Sequence, residues 1–157
     1  MWQGIALVGA TLLTGVMAGL YFAFSIAVMP GLAACEDRTY VEAMRSVNDK
    51  ILNAWFGLAF AGAPLLILVA GALHLDGDDT RLVFWTLAAF LLYALTLGIT
   101  FRVNVPLNDH LDSDEVEPGE ARARFQSRWV RWNHVRTVLS TAALGCLAWA
   151  LVLHGHG

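Results

Sequence analysis

Residues that could carry out chemistry are concentrated near the start of the last apolar segment, between Trp129 and Thr137. On an α-helix, Trp129, Trp132, Asn133 and Arg136 share one face, because they are spaced three, four and seven residues apart. Two indoles provide flat apolar walls, while an amide and a guanidinium provide fixed donors. This face therefore predicts a recess for a flat ligand that carries an oxygen or a negative charge.

Two histidines lie close to this face. His134 is about 100° around the helix from Asn133, and, like His110, it can carry a proton near neutral pH. Metal binding is the less favoured interpretation, since neither histidine has a second ligand at a fixed spacing such as H-x-x-x-H. We therefore predict no metal site and leave a haem or metal cofactor undecided.

A second polar stretch runs from Arg102 to His110. Pro106 removes a backbone donor and disfavours helical geometry in the residue before it, so Val105 is predicted to be extended. The carbonyl groups freed at this break need donors, and the candidates are Asn104, Asn108 and Arg136.

Three other polar residues are candidates for the site. Asn48 lies within a short amphipathic segment and is expected to contact a ligand, whereas Asn53 follows that segment and either caps a helix or contacts a ligand. Asp109 is either a general base or an exposed turn residue.

The elements that position these residues follow from composition. The 157-residue chain is 57% hydrophobic and 15% charged, whereas a typical soluble domain is about 25% charged. A bilayer core of about 30 Å needs about 20 apolar residues in a helix, and in lipid only helices or closed barrels satisfy the backbone. We predict one all-α membrane domain, residues 1–157, that forms a four-helix transmembrane bundle with spans at about 4–32, 54–75, 82–101 and 135–153.

The connections differ in character. Within residues 33–53, Tyr40, Met44, Val47 and Ile51 recur at helical spacing, which predicts a short amphipathic helix on the cytoplasmic membrane surface. Residues 76–81 are predicted to form a tight acidic turn. Residues 102–134 pass through an acidic run at 112–117 and resume as a helix near Glu120 that continues into the fourth span. Residues 154–157 are predicted to be a disordered tail.

The distribution of basic residues predicts the orientation of the chain in the membrane. All but one of the ten lysines and arginines flank the connections 33–53 and 102–134, and the exception is Arg81. The positive-inside rule places those two connections in the cytoplasm and both termini outside the cell (inner) membrane. Membrane lipid is thus a partner, whereas the net charge of −3 gives no reason to expect nucleic acid.

Small residues indicate how the spans pack. Thr11, Gly15 and Gly19 share one face of the first span, and Gly57 and Gly62 are similarly placed in the second. Small residues let helices approach closely in lipid. Packing within the bundle is the favoured interpretation, and a homo-oligomer is left open.

At these motifs the sequence resembles the anthrone-oxygenase-like family of small four-span membrane proteins, also described as domain of unknown function 1772. One departure is Ala54, where the family tends to have proline. The resemblance covers nearly the whole chain and rests on Phe24–Pro30, Tyr40–Phe56, Asn104-Val-Pro-Leu-Asn108 and Trp129-x-x-Trp132-Asn133-His134-x-Arg136-Thr137.

An activity is known for only some members of the family that this chain resembles. Some fungal members are implicated in oxidising polyketide anthrones to anthraquinones without a bound metal or flavin, whereas most bacterial members have no assigned activity. For this chain the resemblance implies a cofactor-independent oxygenase that acts with O2 on a flat, lipophilic aromatic. An anthrone has an acidic carbon, so such an enzyme needs a base and a group that stabilises the anion.

In this hypothesis, each residue has a role that matches the chemical type of its side chain. The substrate would lie between Trp129, Trp132 and Phe56. His134 would be the base, with Asp109 in reserve, and the oxyanion would be held by Arg136, Asn104 and Asn108.

The alternative hypothesis is a non-catalytic protein that binds a lipid or a quinone, or that stabilises a complex. The same polar cluster would then tie the cytoplasmic helix to the bundle. An open recess lined by Trp129, Asn133, Arg136 and Asn108 would favour a ligand site, whereas complete closure of the side chains would favour the structural role.

Overall fold

The computed structural model describes residues 1–75, 80–113 and 116–156. Those residues form helices and no strands, which confirms the predicted all-α class. The predicted turn at 76–81 and acidic run at 112–117 fall partly outside the described residues. The helices are α1 (Trp2–Ala23), α2 (Met29–Ala33), α3 (Asp37–Ile51), α4 (Ala54–Ala72), α5 (Thr80–Ile99), α6 (Val105–Ser113) and α7 (Pro118–His156), with π-helical turns at Phe24–Val28 and Thr100–Asn104.

Four helical segments of the described chain are long and apolar enough to cross a membrane, namely Trp2–Ala33, Ala54–Ala72, Thr80–Ser113 and Pro118–His156. α1 packs against α4 and α7, and α5 packs against the same two helices, so the four form a closed bundle. Its centre holds mostly small and aromatic residues, including Ala63, Tyr93 and Ala143. Large apolar side chains such as Leu12, Leu65 and Leu91 face outward, as expected of an integral membrane protein. The predicted bundle is confirmed.

α3 crosses one end of the bundle and packs on α6 and α7. Tyr40, Val41 and Met44 are buried there against Leu111 and Phe125. The predicted amphipathic helix is therefore present, and its apolar face packs on protein.

Arg122 holds the start of α3 in place through several hydrogen bonds. Arg122 donates from Nη1 to the Cys35 carbonyl (2.9 Å) and to Asp37 Oδ1 (2.8 Å), and from Nη2 to the Ala33 carbonyl (2.7 Å). Its guanidinium also lies 4.7 Å from the centroid of the Tyr40 ring. These contacts fix where α3 crosses the bundle.

The two π-helical turns each end two residues before a proline. The Met29 amide donates to the Phe24 carbonyl, and the Val105 amide donates to the Thr100 carbonyl. Pro30 and Pro106 follow directly. A proline crowds the carbonyl four residues earlier, and the wider turn relieves that contact. The prediction that Val105 is extended is therefore wrong, because its φ and ψ are −62° and −53°.

The predicted disordered tail is also wrong for residues 154–156, which continue α7. His154 packs edge-on against the buried His74, with ring centroids 5.3 Å apart. This contact, at the bundle end opposite α3, gives the last turn a partner. Gly157 lies outside the described residues.

The close approach of α1 and α4 uses partly different glycines from those predicted. A Cβ at Gly9 would lie 2.9 Å from Leu66 Cδ1, and one at Gly62 would lie 2.7 Å from Leu13 Cδ1. By contrast, a Cβ at Gly19 would meet nothing within 4 Å. Leucines of each helix thus fit against glycines of the other.

Candidate functional site

A cavity of about 400 Å³ lies where α3 crosses the bundle, within the usual size range of small-molecule sites. Its wall is mainly apolar, with polar groups gathered on the α7 side. It is lined by Leu20, Tyr21, Phe24, Met44, Val47, Asn48, Ile51, Leu52, Asn53, Phe56, Gly57, Phe60, Thr100, Phe101, Asn104, Val105, Asn108, Trp129, Asn133 and Arg136.

Arg136 supplies the positive charge of the cavity and is only 5% exposed. Its Nη2 donates to Asn133 Oδ1 (2.8 Å) and its Nη1 to the Thr100 hydroxyl (3.3 Å). The guanidinium also lies over the rings of Tyr21 (4.5 Å) and Trp129 (5.4 Å). Among the described residues, no carboxylate pairs with Arg136. A buried cation held only by neutral groups attracts an anion.

Asn133 fixes this guanidinium from one helical turn away. Its Nδ2 donates to the Tyr21 carbonyl (3.0 Å) and to the Ser25 hydroxyl (2.9 Å), which leaves Oδ1 directed at Arg136. Because both amide donors bond to α1 and its π turn, the amide cannot rotate without losing them. The side chain therefore ties α7 to α1 and holds the arginine at the cavity.

Trp129 forms the next part of the wall. Its Nε1 donates to Asn108 Oδ1 (2.8 Å), and its carbonyl accepts a long hydrogen bond from Asn104 Nδ2 (3.5 Å). Its ring packs between Phe24 and Phe125, with centroids 5.7 and 5.8 Å away. The indole is thus held in one orientation as a flat surface.

The opposite wall is aromatic and belongs largely to α4. Asn53 accepts from the Trp55 and Phe56 amides and so caps that helix. Phe56 and Phe60 stack with centroids 5.2 Å apart, and Phe101 meets Phe60 edge-on at 5.7 Å. Phe101 is 60% exposed, so the cavity reaches the outer surface of the bundle between α4 and α5.

The cavity brings together eight of the eleven residues that the sequence singled out, and three lie elsewhere. Trp132 is half-buried outside the cavity, and His134 and Asp109 are exposed. The separation of His134 from its neighbour Asn133 follows from the 100° step per residue of an α-helix. The eight that line the cavity are Asn48, Asn53, Phe56, Asn104, Asn108, Trp129, Asn133 and Arg136.

The sequence reasoning missed Tyr21 and Thr100 in the cavity wall and Ser25 behind it. Tyr21 and Ser25 lie four residues apart, on the face of the first span that meets α7. Polar residues at helical spacing within an apolar span are the signal that could have indicated them.

The lining residues offer few groups for proton transfer or metal binding. Tyr21 and Arg136 are the titratable ones, and none of the twenty lining residues is a histidine, cysteine, lysine or carboxylate. Across the described parts of the chain, no three histidine, cysteine or acidic side chains come together as a metal site. The protein's own groups at this cavity can therefore bind an oxygen anion and an aromatic surface.

Comparison with known families agrees with this architecture. The family model described as "Anthrone oxygenase" matches residues 44–146, more than half of the chain. The matched region contains α4, α5, α6 and most of the polar wall of the cavity, whereas Tyr21 precedes it. Comparisons with curated proteins and with solved structures return no match. The chain is a membrane protein that belongs to the anthrone oxygenase family.

Proposed function

We propose that this protein binds a flat, lipophilic aromatic of anthrone type as its oxyanion and oxidises it with O2. The observation that carries the proposal is the buried Arg136, which faces an aromatic-walled cavity and has no carboxylate partner among the described residues. Such a cation stabilises negative charge strongly because the surroundings are of low dielectric.

The proposed reaction balances with O2 as the co-reactant. Loss of a proton from the anthrone methylene gives an enolate whose oxygen is held by Arg136. The enolate carbon transfers an electron to O2, and the radical pair combines into a hydroperoxide after protonation. Loss of water then breaks the O–O bond and leaves a carbonyl, so that one methylene and one O2 give one quinone carbonyl and one water.

The proton step differs from the one expected from sequence. His134 and Asp109 lie outside the cavity, so we no longer assign either as the base. Stabilisation of the oxyanion makes the carbon acid stronger, and water at the cavity mouth accepts the proton. Asn104 and Asn108 remain in the proposal as groups that contact the substrate, together with the flat face of Trp129.

A lipophilic substrate would reach the cavity from the bilayer. The exposed Phe101 and Leu52 line the cavity and also face outward. We place the α3 end of the bundle on the cytoplasmic side of the cell membrane and both termini outside, because the basic residues flank that end.

The test is oxidation of an anthrone by detergent-purified protein, followed by O2 uptake and by the absorbance of the anthraquinone. We expect a rate above autoxidation and a loss of about 10²–10³ in kcat for Arg136→Gln, as for removal of an oxyanion donor. Arg131→Gln is the matched control, since Arg131 is exposed on the same helix. A wild-type rate equal to autoxidation would reject the oxygenase activity.

A second candidate is a protein that binds a quinone without turning it over. It is favoured by the lack of a histidine or carboxylate among the lining residues. In that case an anthraquinone would bind with dependence on Arg136, while anthrone oxidation would stay at the background rate.

A further inference from the structure

Tyr21 lies beneath Arg136 and is 5% exposed. Its carbonyl is held by Asn133, which fixes the backbone of α1 at the cavity. Its hydroxyl lies beside Thr100 but makes no hydrogen bond of normal geometry. The side chain is therefore positioned by its neighbours, while its donor group is left free.

Tyr21 is one of several cavity residues with such a group. Of the buried side-chain atoms without a partner in the described chain, four belong to residues that line the cavity: Tyr21 Oη, Asn48 Nδ2, Asn104 Oδ1 and Arg136 Nε. A buried polar group without a partner is unfavourable. These four atoms are therefore available to a ligand that enters the cavity.

Three of these four atoms can donate a hydrogen bond, and two of them belong to the stacked pair. The guanidinium carbon of Arg136 lies 4.5 Å above the Tyr21 ring centroid, and the Tyr21 hydroxyl projects from the edge of that ring. Two donors placed this way can converge on a single oxygen, because each needs a separation of only about 2.7–3.0 Å.

We propose that the Tyr21 hydroxyl and Arg136 Nε together hold the ligand oxygen in its ionised form. The inference rests on the proposed function for the identity of the ligand, and it adds an oxyanion donor from the first span. A neutral hydroxyl and a cation stabilise the anion from two directions, whereas Arg136 alone would leave one side of the oxygen without a donor.

The first readout is ionisation of a bound chromophore. 2-Hydroxyanthraquinone is a flat phenol whose ionised form absorbs at longer wavelength than the neutral form, so its apparent pKa can be titrated while bound. We expect the wild-type protein to lower the pKa of the bound probe. Tyr21→Phe should raise that pKa again, because the protein's preference for the anion over the neutral form falls by about tenfold. Tyr93→Phe is the matched control, because the buried Tyr93 hydroxyl donates to the Phe60 carbonyl and does not line the cavity.

The second readout is turnover of an anthrone. Tyr21→Phe should lower kcat by about tenfold or more with KM changed little, because an oxyanion donor acts mainly in the transition state. The thermal unfolding of each variant is measured alongside, so that a loss of fold is recognised separately.

The outcomes separate this inference from the proposed function. If the wild type lowers the pKa of the probe, Tyr21→Phe reverses that change and no anthrone is oxidised, the oxygenase activity fails and the role of Tyr21 stands. If the wild type does both and folded Tyr21→Phe matches it in both readouts, the role of Tyr21 is rejected. If the wild type binds no probe and oxidises no anthrone, both are rejected.

Discussion

Arg136 Nη2 and Asn133 Oδ1 are joined by a 2.8 Å hydrogen bond between adjacent turns of α7, and the acceptor is a neutral amide. A carboxylate at the same position would pair with the arginine and cancel its charge. Because the partner is neutral, the positive charge of the cavity remains available to a ligand.

Asn133→Asp is therefore expected to weaken anion binding, and because it also loses the two hydrogen bonds from Asn133 Nδ2 to the Tyr21 carbonyl and the Ser25 hydroxyl, the bundle should become less stable. The new carboxylate keeps the acceptor for Arg136 but neutralises it, so the affinity for ionised 2-hydroxyanthraquinone should fall by about tenfold or more. The measurement is a binding titration, with circular dichroism for the fold. If folded Asn133→Asp binds the ionised probe as tightly as the wild type, the expected neutralisation of Arg136 is contradicted.

His134→Ala and Asp109→Asn are expected to change anthrone turnover by less than about twofold, as is usual for exposed positions away from the site. Both side chains are exposed and neither lines the cavity. Steady-state O2 uptake by each variant decides the point. A loss of an order of magnitude in a folded His134→Ala protein would restore that histidine as the base.

Filling the cavity from α4 should block the ligand without disturbing the fold. A Cβ at Gly57 meets nothing within 4 Å, and Gly57 lines the cavity. Gly57→Leu should therefore weaken binding of 2-hydroxyanthraquinone by about tenfold or more, because the side chain takes up space that the ligand needs. Gly98→Leu is the matched control, since that glycine is equally open but lies outside the cavity; equal binding by the two variants would contradict the proposed location.

Arg122→Gln is expected to loosen α3. The substitution removes hydrogen bonds to the Ala33 and Cys35 carbonyls and the ion pair with Asp37. Hydrogen exchange should rise across residues 37–51 and change little in the bundle, because the loss is local. Arg124→Gln, which alters an exposed contact with Glu120, should leave exchange in α3 unchanged. If the hydrogen-exchange rates in α3 were the same in the wild type and in Arg122→Gln, the apolar contacts alone would be holding the helix.

Tyr40 gives the protein a defined response to alkaline pH. Burial raises the pKa of its phenol above the ordinary value near 10, so the folded state retains the proton at a pH where the unfolded state loses it. The resulting stabilisation is fully present below about pH 10 and is lost as pH rises further. Tyr40→Phe should flatten the fall in Tm above pH 10. It should cost little at neutral pH, because the hydroxyl has no hydrogen-bond partner among the described residues, and an unchanged alkaline slope would contradict this origin.

The spans and the polar face of α7 could be predicted because both depend on local properties. Apolar length sets the spans, and the 3.6-residue repeat puts Trp129, Asn133 and Arg136 on one side. Tyr21 could not be assigned in the same way, since it reaches the cavity from a different helix and the tertiary packing decides which face of α1 meets α7. Asn53 caps α4, which confirms one of its two predicted interpretations, and it also lines the cavity, where contact with a ligand stays a prediction.

The prediction for Val105 failed for an identifiable reason. The rule that a residue before proline avoids helical geometry applied poorly to Val105, because a wider turn accommodates the ring of Pro106. His134 has the side-chain chemistry of a base, but it is exposed and does not line the cavity. Adjacent residues on a helix point about 100° apart, and here that step turns His134 to the surface while Asn133 faces the cavity.

The π-helical turn at Thr100–Asn104 makes the site depend on the number of residues in this segment. Such a turn holds one residue more than an α-helical turn. The amide of Val105 bonds the carbonyl of Thr100 five residues earlier, so the turn absorbs one extra residue and returns α6 to the same face. Deleting Val103 would therefore keep Asn108 on the side of Trp129, but it would remove the widened turn that presents Phe101 and Asn104 to the cavity. A gain or loss of one residue here would thus reshape a binding wall while the membrane architecture stayed the same.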